Sequence, residues 1–197
     1  MRRDAMAVDS TPATEPEATT GHFPDLIRNG VALFSAGAAG MHFAVAQAHF
    51  EEYWLFGAFF VGLGWFQALW AILVVATPHR LLYLLGALAN GATVVLWTIT
   101  RTTGIPVGPN AGEPEPAEFI DILSTAFEVL VVVGCVLLLA RGAAGSQRGG
   151  GRPLLAGTFA LGLVVVALTS GAVATWTPHH AEEPAGEQQE EPAEEHT

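Results

Sequence analysis

The sequence predicts an all-α fold, a polytopic membrane helical bundle of five transmembrane helices: a four-helix core plus a flanking fifth. Three observations carry this expectation. Hydrophobic residues make up 51% of the 197 residues and charged residues only 14%, where soluble domains carry about a quarter charged. Five apolar stretches, near 30–50, 53–77, 81–100, 119–140 and 154–176, each reach the roughly 20 residues needed to cross about 30 Å of hydrocarbon at 1.5 Å per residue. The eight basic residues, all arginine, segregate between alternate connections of those stretches.

The elements follow in order. Residues 1–28 open with MRRDAMAVDSTPATEPEATTGH, rich in Ala, Thr, Pro and Glu without apolar period, and are expected to be a disordered cytoplasmic N-terminus. A polar segment this long ahead of the first span does not resemble a cleavable signal peptide. The four-helix core covers 29–140. Its first two spans are joined only by Glu51-Glu52, which forces an antiparallel hairpin, and Pro78 closes the second. Between spans three and four, RTTGIPVGPNAGEPEPAEF (101–119) is punctuated by Pro and Gly and favours a fixed set of turns. Runs such as Val129 to Ala140 lack the alternation of barrel strands, so helices are the structure that satisfies their backbone in lipid. The segment 141–153 (RGAAGSQRGGGRP) reads as a flexible cytoplasmic linker, followed by a fifth helix over 154–176. The tail 177–197, with seven Glu and no basic residue, is expected to be disordered and acidic.

Arginine placement predicts orientation, because basic residues near span ends stay on the cytoplasmic side. With the N-terminus inside and the C-terminus outside, seven of the eight arginines are cytoplasmic, and only Arg101 lies outside. A multi-pass protein of the plasma membrane is the expected location, with the lipid bilayer as its first partner. A net charge of -11 excludes nucleic-acid binding, which needs a basic face. The single cysteine, Cys135, excludes an intrachain disulfide framework and reads as a small buried hydrophobe.

Ionisable and polar groups inside spans mark the candidate site, because each is costly in lipid and must face protein or water. Ser35, His42 and His49 on the first span are spaced by seven and share one helix face. Asp121, Glu128 and Cys135 do the same on the fourth; the second contributes Tyr53, Phe60 and Gln67, and the third Asn90, Trp97 and Arg101. Measured from the outer surface, His49 and Asp121 lie within about a turn of it, and His42 and Glu128 about 12 Å below at 1.5 Å per residue. Facing the two helices then predicts two rungs, His49 with Asp121 and His42 with Glu128. Arg101 would lie at the mouth, with Gln67 and Asn90 deeper.

Several readings fit this constellation. It serves as a structural hydrogen-bond network, with Arg101 tying down the outer loop through Asp121 or Glu118. It could hold a divalent metal on His42, His49, Asp121 and Glu128, though the two histidines are about 10 Å apart along the axis and cannot share one ion. It could also pass a proton, for which a homodimer or larger membrane complex would help enclose a pathway. Catalysis is the weakest reading: there is no HExxH and no G-x-S-x-G. Binding or passage of a small cation at this outward-facing site is the expected function, and a non-catalytic scaffold or accessory subunit is the alternative. Tail histidines His179, His180 and His196 fit a solvated acidic tail better than a metal trap.

The pieces HFAVAQAHFEEYWLFGAFF (42–60), RTTGIPVGP (101–109) and the Asp121/Glu128 helix resemble a group of small polytopic membrane proteins from high-GC bacteria. The resemblance covers about 30–140. It implies that the four-helix core is the functional unit and brings no assigned activity, ligand or catalytic residue.

Overall fold

The computed structural model describes residues 22–142 and 152–176. Those residues form five helices and no strands: α1 (His22–Glu52), α2 (Trp54–Ala76), α3 (Arg80–Thr102), α4 (Phe119–Ala140) and α5 (Arg152–Thr175). All five are long and apolar enough to cross a membrane. Residues 1–21, most of the 141–153 linker and the 177–197 tail lie outside the described residues.

The first helix departs from the sequence expectation. It begins at His22, not 29, and its 31 residues extend about 46 Å at 1.5 Å per residue. The added turns carry Asp25 and Arg28, whose side chains pair at 2.7 Å and are buried. An acid and a base three residues apart face each other on a helix, so the two charges largely cancel. Asp25 also lies in the first turn, where the helix N-terminus favours negative charge.

The α1–α2 hairpin is as tight as its two-acid connection implies. Tyr53 donates its backbone N–H to the His49 carbonyl, and α2 starts at the next residue. Close approach is possible because Gly57 carries no side chain: a Cβ there would be 2.1 Å from Cγ of Phe50. At the other end of α2, Trp70 donates to the Leu82 carbonyl at 2.8 Å and so crosses to α3 near the 77–79 turn.

Helix α1 is the hub, packing on α2, α4 and α5, while α3 packs chiefly on α4. The order α2–α1–α4–α3 closes into a four-helix core whose loosest seam lies between α2 and α3. As expected, α5 flanks it, resting on α1 with only light contact to α4. Two apolar clusters hold this arrangement. One joins Val31, Trp70, Val74, Tyr83, Val131 and the buried Cys135. The other joins Ala38, Met41, Val45 and Phe127 to Val165 and Ala172 of α5.

Candidate functional site

All four core helices contribute polar side chains to one buried network. His42 of α1 places Nε2 3.1 Å from Oε1 of Glu128 on α4. Gln67 of α2 donates its amide to the same carboxylate oxygen at 3.0 Å and to Asn90 Oδ1 of α3 at 3.1 Å. Asn90 donates in turn to the Gly86 carbonyl, and Ser35 to the Gln67 carbonyl. Glu128 is 1% exposed and His42 4%, so neither ionisable group is open to bulk water. The spaced faces of α1 and α4 meet at this rung, and Gln67 and Asn90 extend it toward α2 and α3.

The amide orientation of Gln67 is fixed by its neighbours. Both nearby oxygens, on Asn90 and Glu128, accept, so the NH2 group must face them. That leaves Gln67 Oε1 buried without a donor among the described residues.

The upper rung does not form. His49 bonds through Nδ1 to the Val45 carbonyl at 2.9 Å, one turn back on its own helix, and its ring lies 4.2 Å from that of Phe60. Asp121 is taken by Arg101 and by the backbone N–H of Glu118, forming half of the capping box that opens α4. A permanent cation within reach outcompetes a histidine for a carboxylate.

Arg101 binds Glu115 as well as Asp121, which pins the 103–118 loop across the end of the bundle. The loop reading of the sequence is thereby met through Asp121; Glu118 instead serves the capping box. Further bonds fix the loop, from Glu115 N–H to the Thr100 carbonyl and from Gly112 N–H to the Ile105 carbonyl. Gly108, at φ +95°, packs under Phe56.

His49, Asp121 and Arg101 nonetheless share a space. They line a vestibule of about 340 Å³ at the loop end, together with Glu52, Glu115 and Trp176. Phe60 touches both histidines, its ring centroid 4.2 Å from that of His49 and 5.6 Å from that of His42. The chain matches no protein-family model, no curated protein and no solved structure. Among the described residues no three His, Cys, Asp or Glu side chains group in a way that could hold a metal ion. The four proposed metal ligands are thus divided, His42 with Glu128 in the core and His49 with Asp121 apart in the vestibule wall.

Sequence reasoning missed a second buried polar group, the Asp25–Arg28 pair, with the buried Tyr83 near Arg28, toward the opposite end of the core. Its signal was present as the i, i+3 spacing of Asp25 and Arg28. The role of Phe60, in contact with both histidines, was foreshadowed only by its place seven residues before Gln67.

Proposed function

We propose that this protein belongs to the plasma membrane, N-terminus inside and C-terminal tail outside, and takes up and releases a proton at the His42–Glu128 pair. The observation that carries this reading is the 3.1 Å contact between an imidazole and a carboxylate buried among four helices. As a neutral imidazole and a carboxylate the pair bears one negative charge; with one added proton it is neutral overall. The Gln67 amide donates to the carboxylate without adding charge, so a single proton changes the charge of the station. The acid-lined vestibule, with His49 in its wall, supports approach from the loop end, and the arginine distribution supports that end being outside.

A proton is preferred to a divalent metal as the small cation. One imidazole and one carboxylate supply two protein ligands where a structural zinc takes four, and Gln67 already occupies one side of the carboxylate.

One observation favours a second reading, a scaffold or accessory subunit. Ser35 and Asn90 bond to helix backbone, so the network also ties the four helices together. Infrared difference spectra of the full chain in lipid, recorded on acidification, separate the two. Uptake at the pair gives carboxyl and imidazole bands that vanish in Glu128→Gln, which keeps the shape of the side chain. Identical spectra from wild type and Glu128→Gln would overturn the proton reading in favour of the scaffold.

A further inference from the structure

The seam between α2 and α3 opens beside the vestibule into a chamber of about 340 Å³. Phe56, Phe59 and Phe60 of α2 and Leu96 of α3 line it, and Ile105 and Val107 of the loop roof it. The roof is built: Arg101–Glu115, the Thr100 and Ile105 carbonyl bonds and the Phe56–Gly108 contact hold it in place. Phe59 and Leu96 also border a deeper opening of about 440 Å³ in the same seam. His49 and Glu115 line both chamber and vestibule, so an apolar space and a polar one share a wall.

The polar groups on that wall are acceptors. His49 Nδ1 faces a carbonyl, which can only accept, so Nδ1 carries the hydrogen and Nε2 of the neutral ring is left as an acceptor. Thr100, also on the chamber wall, spends its hydroxyl hydrogen on the Trp97 carbonyl. Glu115 is a carboxylate, and Glu52, Glu118 and Asp121 add three more around the vestibule against the single guanidinium of Arg101. The excess of negative charge and of acceptors is complementary to a cationic donor. Phenyl rings beside it suit the same charge, because their faces are negative.

We propose that chamber and vestibule together bind an amphipathic organic cation, with a protonated amine at His49 and Glu115 and an apolar body among Phe56, Phe59, Phe60 and Leu96. The volume lies within the roughly 300–1,000 Å³ of small-molecule pockets, and an apolar lining with few convergent polar groups is their usual make-up. An anionic lipid or fatty acid would bring its head against like charge. A neutral hydrocarbon would offer no donor to His49 Nε2. The assignment does not depend on proton uptake at His42 and Glu128, which lie beyond Phe60.

Calorimetric titration of the full chain in phosphatidylcholine nanodiscs with naphthylethylammonium tests it, with empty nanodiscs as the background. Saturable binding is expected, about tenfold or more weaker for uncharged ethylnaphthalene and absent for naphthylacetate. Leu96→Trp fills the chamber and should abolish binding; Val107→Trp fills it from the loop and gives the same result should the first variant fail to fold. Glu115→Gln should weaken the amine several-fold and leave ethylnaphthalene unchanged. No saturable binding, equal binding of the neutral compound, preference for the anion, or full binding by a folded chamber-filling variant would each overturn the proposal.

Discussion

Asp121 and Glu128 are one heptad apart on the same face of α4, yet their surroundings differ in kind. Asp121 is met by a guanidinium shared with Glu115, and both acids keep part of their surface exposed, 25% and 40% of the side chain. Glu128, about 10 Å deeper at 1.5 Å per residue, is met by an imidazole and a neutral amide in full burial. Near the bundle end water helps carry permanent charge. At depth an ion that cannot be discharged is costly, and partners that can be neutral replace it. The difference teaches that depth selects the partner more than the acid does, since the same helix presents both.

The contrast can be broken most forcefully at the deep pair. His42→Leu leaves Glu128 buried without its partner and should cost about 3–5 kcal/mol in unfolding measured in mixed detergent. His42→Leu combined with Glu128→Leu should regain most of that loss, because no lone charge remains. If the double variant is as unstable as the single, the deep station is held by shape and not by charge. A smaller effect, about 1 kcal/mol, is expected for Arg101→Ala, whose freed acids can hydrate. Hydrogen exchange across 104–117 should then rise while amides around Glu128 stay protected; loss of protection in both regions would show that the two stations are one unit. Smallest in extent is Gly108→Ala, where φ +95° disfavours a side chain and the added Cβ meets Phe56. Its cost, about 1 kcal/mol, should appear as faster exchange of the loop alone.

Much of this architecture is legible without coordinates, for identifiable reasons. Hydropathy reports the five spans because lipid demands about 20 apolar residues whatever the packing. The His42–Glu128 contact is legible because heptad spacing and depth are both geometric, and among the described residues no arginine pairs with either group. For Asp121 the sequence offered two partners, His49 and Arg101, and spacing could not decide that Arg101, twenty residues earlier, would take the carboxylate. The start of α1 was hidden for a different reason: Asp25 and Arg28 count as two polar residues in a hydropathy window but act as one neutral pair in the fold. Gln67 and Asn90 were visible as polar residues in spans. That Gln67 would bridge the Glu128 carboxylate and Asn90 depended on helix rotation, which spacing alone leaves open.

The hub position of α1 bears on how the chain is made. Among the described helices α1 leaves the ribosome first, but two of the three helices it packs on, α4 and α5, are synthesised last. Until α4 arrives, His42 has no Glu128, while Asp25 and Arg28 already neutralise each other within one turn. The early helix thus brings its own counter-ion at one end and must wait for another helix at its middle. Assembly of this protein therefore has a late closing step, the docking of α4 on a helix inserted three spans earlier, and a nascent chain halted before Phe119 would hold an unpaired histidine in the membrane.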